Sequence, residues 1–407
     1  ISSNDGYDII SSYGTAKNIL TVGAVNPIAT GYSSASNVVM SSFSSWGPTD
    51  DGRIKPDVVA DGVGLTSSIA SANNAYATFS GTSMATPNVT GSLLLLQEYY
   101  VQQHPGIFMR SATLKGLTIH TAEEAGPNPG PDYMFGWGLV NVAKAALVIK
   151  DDNSPAKKQI IKEETLNNGD TYTFPVIASG SGPLVVTICW TDPKGSIQAA
   201  NALNDGTPKL IHDLDLRVTQ ATNTYSPWIL NPTNRSAAAT TGDNKLDNVE
   251  KIEISNPIPG QTYTIKVTHK GTLERGSQAY SLIISGVGGT AACATSGPTD
   301  ANGARINSIK LNNLNFTAGN TSTCTQYVNN TSSIASVETN TTYPTSLTVG
   351  TCGGENLPAI AFKVFADLNN NGVFTRQVSI RHRCCYFGNV SNLRGKVRRH
   401  FVHGVSE

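Results

Sequence analysis

The hydrophobic pattern of this chain changes its period near residue 150. Before that point apolar residues recur at helical spacing; Val89, Leu93, Leu96 and Tyr100 are separated by four, three and four positions. After it, apolar and polar residues alternate, as in residues 263–269. Spacings of three and four are typical of a helix, and a spacing of two is typical of a half-buried strand. The chain is therefore predicted to contain at least two architectures.

Residues 1–150 are predicted to form an α/β domain. Short apolar segments at residues 19–25 and 55–60 are predicted to be strands. Three helices are expected over residues 83–103, 111–122 and 140–149, the last two being separated by a glycine turn. Because residues 83–103 carry apolar residues on almost every side, we expect that helix to be buried all round.

Residues 151–288 are predicted to form an antiparallel β-sandwich, and residues 289–375 a smaller β module. The main expected strands of the sandwich are residues 171–177, 185–190, 213–218, 251–254, 263–269 and 280–285. Residues 376–407 carry seven basic residues and one acid. We expect this basic tail to be non-native or disordered; the alternative is an arm that binds an acidic partner.

Length, charge and hydropathy exclude several classes of protein. A chain of 407 residues is long enough for two to four domains. Its 29 basic and 29 acidic residues leave no excess positive charge for phosphate, so a nucleic-acid binder is not expected. No apolar run approaches the length needed to cross a bilayer. The Ser-, Thr- and Asn-rich composition is typical of a secreted protein, and Cys189, in an apolar run, is expected to be a buried thiol.

Residues 79–91 contain a candidate nucleophile, Ser83. At the first turn of a helix its hydroxyl would be exposed, and the helix dipole and free N–H groups would face developing negative charge. Gly81 would allow close approach of backbone or substrate, and Pro87 would fit the first turn, where N–H groups have no partners in any case. The residues alone leave open an ordinary Ser or Thr cap before a buried helix, which is the more common arrangement.

Four blocks of sequence, in this order, resemble those of the subtilisin-like serine proteases (subtilases). Residues 81–87 read Gly-Thr-Ser-Met-Ala-Thr-Pro, similar to the signature around the nucleophile of that family. Residues 18–25 resemble its core strand, residues 44–57 the loop and strand before the nucleophile, and residues 136–141 the turn before its last helix. The resemblance implies the C-terminal part of an α/β subtilase domain, with a parallel sheet and helices, and a serine endopeptidase that works through an acyl-enzyme.

The resemblance also implies an oxyanion hole made by the Ser83 N–H and the side-chain amide of Asn4. Asn4 lies in a Ser-Ser-Asn-Asp-Gly segment that the residues alone would equally allow to be a surface turn. Ser3 stands where the family usually has Gly. Four neighbouring positions are the implied substrate-binding residues: Ser2, Ser3, Gly81 and Thr82.

The aspartate and histidine of the family's triad have no match here. The family orders them before the serine, with the histidine in a His-Gly-Thr-His segment, and none of the seven histidines is followed by Gly-Thr. His104 and His120 follow Ser83 and are expected at helix ends or surfaces. The resemblance thus implies that the missing pair precedes residue 1 and that the chain as it stands is inactive.

The later segments resemble accessory domains. Residues 151–288 are similar to the β-sandwich or jelly-roll domain that follows the catalytic domain in some large bacterial subtilases. Residues 289–375 resemble a truncated GEVED domain of secreted proteins, chiefly through residues 362–372.

No cofactor is expected to be required, although two segments have carboxylates that would suit structural Ca²⁺. Asp213 and Asp215 lie on one side of a predicted strand, for which a solvated strand face is the alternative. Asp367, Asn369 and Asn371 have the spacing that begins a calcium loop, for which a plain turn is the alternative.

Two functions follow from these patterns. The first is a secreted subtilisin-like endopeptidase that acts on protein or peptide substrates, with no nucleic-acid partner and no membrane span. The second is a secreted binding or adhesion protein that keeps a relic of a peptidase domain. They differ in whether Ser83 of the full protein reacts with a serine-directed fluorophosphonate.

Overall fold

The computed structural model describes residues 6–154, 157–197, 202, 204–288, 305–317, 343–350, 364–366, 376–378 and 393–397. The chain divides into two compact units, residues 1–291 and residues 292–407. The first unit contains an α/β part followed by a β-sandwich, and the predicted boundary between them at residue 150 stays a prediction.

The α/β part has two parallel strands, a hairpin and three helices. Its elements are β1 (Val22–Val25), β2 (Val58–Asp61), β3 (Leu65–Ser68), β4 (Tyr76–Phe79), α1 (Thr82–Gln103), α2 (Ser111–Thr121) and α3 (Val142–Asp152). Strands β1 and β2 pair in parallel with Val22 opposite Val58, and β3 and β4 form an antiparallel hairpin. The three helices and the two parallel strands lie where the hydrophobic pattern predicts them. The hairpin was not predicted, because its mostly exposed residues carry little apolar alternation.

Helix α1 is buried on one face, so the expectation that it is buried all round is wrong. The buried residues are Ala85, Val89, Leu96 and Tyr100, which lie four, seven and four positions apart. Leu94 and Leu95 point away from this face and are 67% and 63% exposed. Within the described part of the chain, β1, β2 and α3 pack against one side of α1. The apolar residues on its other sides are therefore left exposed.

A tight turn brings the start of α3 against β2. Gly138 has a φ of +111°, and a Cβ at that position would lie 2.0 Å from the Glu123 carbonyl oxygen. Only glycine has the space and the conformational freedom for this approach. The Val59 N–H donates to the Gly138 oxygen at 3.0 Å, and the Val140 N–H donates to the Val59 oxygen at 3.0 Å. The Gly-Trp-Gly turn is therefore a packing requirement of this sheet.

Two four-stranded antiparallel sheets form the sandwich. Their strands are β5 (Gln159–Asn167), β6 (Tyr172–Ile177), β7 (Leu184–Trp190), β8 (Leu214–Gln220), β9 (Asn223–Tyr225), β12 (Val249–Ile254), β13 (Thr262–His269) and β14 (Ser277–Ser285). The strand orders are β12-β7-β14-β5 and β6-β13-β8-β9. A short pair, β10 (Trp228–Ile229) and β11 (Thr240–Thr241), lies beside them. The inner faces share one hydrophobic core that includes Trp190 and Tyr263. The predicted antiparallel sheets are confirmed, whereas the jelly-roll topology stays a prediction.

Helix α2 joins the α/β part to the sandwich. It packs on β7 and β14, and nine of its eleven residues are buried. Gly116 lies against Cys189 of β7, where a Cβ would be 3.0 Å from the Cys189 Cβ. Cys189 is a buried free thiol whose pKa burial raises to about 11, as expected from its apolar run. One core cluster combines residues of both parts, so neither part buries its apolar surface by itself.

In the second unit, the residues that the structure describes form two small antiparallel sheets. Their strands are β15 (Arg305–Leu311), β16 (Leu314–Thr317), β17 (Tyr343–Gly350), β18 (Val364–Ala366), β19 (Arg376–Val378) and β20 (Leu393–Val397). The orders are β16-β15-β17-β20 and β18-β19. Strands β19 and β20 belong to the predicted basic tail. The GEVED resemblance stays a prediction, and Asp367, Asn369 and Asn371 lie outside the described residues.

Candidate functional site

Ser83 is the second residue of α1, with Gly81 as the residue that precedes the helix. Its side chain is exposed. In the described part of the chain, neither its hydroxyl nor its backbone N–H has a hydrogen-bond partner. Both groups lie at the positive end of a 22-residue helix. The arrangement places a free hydroxyl and a free N–H donor at the same point.

The start of α1 is held in place by backbone contacts with the end of β2. The Gly81 N–H donates to the Gly62 oxygen at 2.8 Å, and the Gly64 N–H donates to the Ser80 hydroxyl at 2.9 Å. A Cβ on Gly62 would lie 2.8 Å from the Gly81 oxygen and 2.7 Å from the Cβ of Ala24. A larger residue at position 62 would therefore displace the helix start from β1.

Pro87 is the sixth residue of α1 and so lies beyond the first turn, contrary to the expectation from sequence. It has no N–H to donate to the carbonyl of residue 83, four positions earlier. The helix nevertheless continues through this position, and on either side of it Thr86 and Thr90 donate their hydroxyls to the oxygens of Thr82 and Thr86 at 3.0 and 2.9 Å. The acceptor left without this hydrogen bond is therefore the backbone carbonyl of the candidate nucleophile itself.

The other predicted site residues are divided between described and undescribed positions. Gly81 and Thr82 adjoin Ser83 and are partly exposed. Asn4, Ser2 and Ser3 lie outside the described residues, so the oxyanion role of Asn4 and the substrate-binding role of Ser2 and Ser3 stay predictions.

The segment that follows Asn4 is held against a loop of the α/β part. The N–H groups of Asp8 and Ile9 donate to the oxygens of Gly47 and Trp46 at 2.9 and 3.1 Å. Gly6 approaches Trp46 so closely that a Cβ would lie 2.7 Å from its ring. Tertiary contacts therefore fix the path of the backbone that follows Asn4.

His104 is at the far end of α1 from Ser83. At a rise of 1.5 Å per residue, the helix places it about 30 Å away. Its ring stacks on Tyr100 with centroids 4.1 Å apart, and its Nε2 lies 3.3 Å from the Asp152 carboxylate. It occupies a helix end, as expected.

His120 ends α2 but is buried, not at a surface. Its Nε2 lies 2.6 Å from the hydroxyl of Ser285, which itself donates to Gln159 at 2.6 Å. The imidazole must therefore donate from Nε2, and Nδ1 accepts from Thr187 at 2.9 Å. Burial, reinforced by the nearby Lys251 charge, holds the pKa of His120 well below its ordinary value. The ring is a neutral structural group and does not contact Ser83.

The two histidines of the sandwich also have structural partners. His212 Nε2 accepts from the Glu274 N–H at 2.7 Å, and its Nδ1 lies 2.6 Å from the Gln278 side-chain oxygen. His269 Nε2 accepts from the Gly169 N–H at 2.7 Å. Thus none of the four histidines in the described ranges is placed to take a proton from Ser83.

A buried ionic cluster lies beneath the sheet of the α/β part. The Asp57 carboxylate contacts Lys55 at 2.5 Å and Lys115 at 3.0 Å, and it accepts from the Thr21 N–H at 2.6 Å. Burial opposes ionisation of Asp57, but the two lysines outweigh it and hold the pKa of this carboxyl below its ordinary value. With its charge balanced on both sides, Asp57 has a structural role.

Asp213 and Asp215 surround a lysine. The Lys270 ammonium lies 3.1 Å from Asp213, 2.9 Å from Asp215 and 2.8 Å from Asp243. Across the residues that the structure describes, no group of three or more His, Cys, Asp or Glu side chains is arranged to hold a metal ion. The sequence pattern missed Lys270 because it is more than 50 positions from the two aspartates it contacts.

None of the described helices is long and apolar enough to cross a membrane.

Comparisons with known proteins match part of the chain to one family. Residues 2–138 match the model of the subtilase family. Over 343 residues the chain is 28% identical to the serine protease/ABC transporter B family protein tagB of Dictyostelium discoideum, covering 68% of this chain and 18% of that protein. Over 71 residues it is 54% identical to C5a peptidase of Streptococcus pyogenes, covering 17% of this chain and 6% of that protein. The chain therefore spans less than a fifth of the length of either relative.

Solved structures with similarity include the patellamide maturation protease PatA. The match has 24% identity and a TM-score of 0.29, and it covers 36% of this chain and 48% of that one. A second is tripeptidyl peptidase 2, with 14% identity and a TM-score of 0.24, covering 66% of this chain and 30% of that one.

Proposed function

We propose, from the premise that residues 2–138 belong to the subtilase family, that this chain carries the nucleophile-bearing part of a serine endopeptidase. The observation that carries the proposal is the placement of Ser83, exposed on the first turn of α1 with an unpartnered hydroxyl and N–H among the described residues. Its substrates are proteins or peptides, and the reaction needs no metal or organic cofactor because protein groups supply every step.

In the proposed reaction Ser83 Oγ attacks the carbonyl carbon of a peptide bond. The electrons of the carbonyl pass to its oxygen, and this oxyanion accepts hydrogen bonds from the Ser83 N–H and the Asn4 amide. A histidine base takes the hydroxyl proton and returns it to the leaving amine. The products of this step are an acyl-enzyme on Ser83 and a free amine, and water then releases the acyl group as an acid.

The base is assigned to a histidine that precedes the present sequence, since the family order is Asp, His, Ser. The positions of His104 and His120, with partners far from Ser83, support this assignment. The 407-residue chain by itself is accordingly proposed to be inactive. The size of the defect is taken from subtilisin, in which removing the serine or the histidine lowers kcat by a factor of about 10⁶.

Secretion is proposed on composition. The Ser-, Thr- and Asn-rich sequence, without a Cys-x-x-Cys pair, is typical of proteins that act outside the cell. Fractionating cells that express the full gene, and locating the protein by immunoblot, tests this placement.

Labelling with a serine-directed fluorophosphonate tests the nucleophile. The protein that includes the upstream sequence should be labelled and should hydrolyse casein, and Ser83→Ala should abolish both. Ser71→Ala, at an exposed position in the loop between β3 and β4, is the matched control and should retain labelling. Labelling that persists in Ser83→Ala would contradict the proposal. An absence of labelling in the full protein would favour a binding protein with a relic peptidase domain.

A further inference from the structure

A linking segment, residues 6–21, connects the proposed oxyanion donor Asn4 to strand β1. Every residue of this segment is at least partly exposed, and none of them belongs to a helix or a strand. The segment therefore lacks a ladder of hydrogen bonds of its own, and contacts with other parts of the first unit must hold it. Its path bears on catalysis, because the Asn4 amide has to lie within hydrogen-bond distance of the developing oxyanion.

The sandwich holds the end of the linking segment that leads into β1. The Lys17 ammonium forms an ion pair with Asp192, whose side chain is buried, and donates to the Pro193 oxygen at 2.8 Å. The Asn18 amide donates to the Asp192 backbone oxygen at 2.9 Å, and its side-chain oxygen accepts from Asn248 at 3.0 Å. Residues of the sandwich therefore fix this end of the segment.

The loop between β10 and β11 reaches the other end of the linking segment, close to Asn4. The Arg235 Nη2 of this loop lies 3.2 Å from the Asp8 carboxylate, with 33% and 19% of the two side chains exposed. The loop itself is held by Asn231, whose side-chain oxygen accepts from the N–H and the hydroxyl of Thr233 at 3.0 and 2.7 Å. Arg235 therefore extends from a shaped loop to the residue four positions after Asn4.

The backbone of Asp8 has an unusual conformation. Its φ is +61°, in the left-handed region that residues other than glycine seldom adopt. Such a conformation persists only where the surrounding contacts hold it. Here the Asp8 N–H donates to the Gly47 oxygen at 2.9 Å, and Arg235 holds the carboxylate. Loss of the second contact would allow the backbone on the Asn4 side to relax.

We propose that Arg235 is a positioning residue of the peptidase site, which holds the start of the linking segment through Asp8 and so sets where the Asn4 amide lies. This inference rests on the proposed function, because it assigns Arg235 an indirect part in oxyanion stabilisation. The oxyanion forms only after attack on the carbonyl, so a misplaced Asn4 should lower kcat and leave KM nearly unchanged. Because the ion pair is partly exposed, the expected loss is about two- to fivefold.

Amide hydrogen exchange of the 407-residue chain tests whether Arg235 holds the linking segment. Arg235→Met should speed exchange at the Asp8 and Ile9 amides by about two- to fivefold, whereas Arg235→Lys keeps the charge and should retain most of the protection. Arg275→Met, the same substitution at an exposed arginine of another sandwich loop, is the matched control and should exchange as the parent does. Unaltered exchange in Arg235→Met would overturn the proposal, whatever the activity of the protein.

Steady-state hydrolysis of fluorescently labelled casein, by the protein that includes the upstream sequence, tests the effect on catalysis. Arg235→Met should lower kcat by about two- to fivefold with KM changed by less than about twofold, and Arg235→Lys should restore most of kcat. Asp8→Asn removes the charge but keeps a residue that tolerates the left-handed conformation. In that background Arg235→Met should have a smaller effect, because the two residues act as one unit.

Thermal melts of each variant establish that it is folded. An inactive parent protein would overturn the proposed function and this inference with it. An unaltered kcat in a folded Arg235→Met variant of an active parent would overturn this inference alone. A rise in KM with kcat unchanged would also overturn it, since that result would place Arg235 in ground-state binding of the substrate.

Discussion

At the scale of single residues, burial assigns ionisable groups to structural roles that the sequence does not reveal. Asp132 is an example, because its carboxylate caps a turn by accepting from the N–H groups of Met134 and Phe135 at 2.8 and 2.6 Å. Burial nevertheless raises its pKa to about 6, from 3.8, against the effect of these two hydrogen bonds. The folded chain therefore binds a proton at Asp132 more readily than the unfolded chain does.

The sign of this shift predicts the effect of Asp132→Asn. Because the pKa of Asp132 is higher in the folded chain than in the unfolded chain, the free energy of unfolding falls as the pH rises from about 4 to about 6. Over this range the folded protein must lose a proton that it binds more tightly than the unfolded protein does. An amide oxygen accepts the same two N–H bonds without a charge. We expect Asp132→Asn to increase the free energy of unfolding at pH 7 by up to about 3 kcal/mol, with a smaller gain at pH 5.

Urea unfolding at the two pH values measures this difference. Asp170→Asn, at an exposed position, is the matched control, and its effect should stay within about 0.5 kcal/mol. A gain from Asp132→Asn that is equal at pH 5 and pH 7 would show that charge burial is not the cause.

At the scale of elements, α2 is the helix that contacts both the α/β part and the sandwich of the first unit. Lys115 extends from α2 to the Asp57 carboxylate at 3.0 Å and to the oxygens of Lys17 and Ile19 at 2.9 and 3.0 Å. On another face, Thr113 lies 2.8 Å from Ser281 of β14. The helix thus joins the buried charges of the α/β part to the outer face of a sandwich sheet.

Replacing Lys115 tests this role. Lys115→Met keeps the length of the side chain but leaves Asp57 buried with one lysine in place of two. Removing one partner of a buried ionic group costs about 3–5 kcal/mol, so we expect a loss of that order in the free energy of unfolding. Lys150→Met on α3, at an exposed position, should change stability by about 0.5 kcal/mol or less. Similar denaturation midpoints for the two variants would contradict the assigned role.

At the scale of the whole molecule, the sandwich and the α/β part lie in one compact unit, residues 1–291. Asn18 and Asp192 exchange two hydrogen bonds at 2.9 and 3.0 Å, and the Asp247 carboxylate accepts from the Ile54 N–H at 2.9 Å. These contacts join residues more than 170 positions apart. The sandwich therefore completes the core of the α/β part and is more than an appended module.

Truncation distinguishes a shared core from independent domains. A chain that ends at residue 154 loses every partner of α2 on the sandwich side, so we expect it to lack a cooperative thermal transition and to bind a hydrophobic dye. A chain that ends at residue 291 keeps the complete unit and should melt cooperatively, which circular dichroism would record. Cooperative melting of the shorter chain near the temperature of the longer one would indicate that the α/β part folds alone.

Most helices and strands could be predicted from the sequence, whereas the burial and the tertiary contacts of their side chains could not. The strand around residues 251–254 is an example: it was predicted from a short apolar pattern and is present as β12. Its charged residues were not expected inside, yet Glu250 and Lys251 are both buried. The opposite sheet covers one face of this strand and α2 approaches the other, and no local pattern carries that information.

The sequence by itself predicted that a helix begins near Ser83, that the period of the apolar pattern changes near residue 150, and that the residues around this serine resemble the subtilase signature. Periodicity and motifs can do this because they depend on neighbours within a few positions. Only the tertiary structure decided that His120 is a neutral buried ring, that Lys270 is surrounded by Asp213 and Asp215, and that Lys251 is buried. The reason is physical: burial and charge pairing are set by residues tens to hundreds of positions apart, which come together only when the chain is folded.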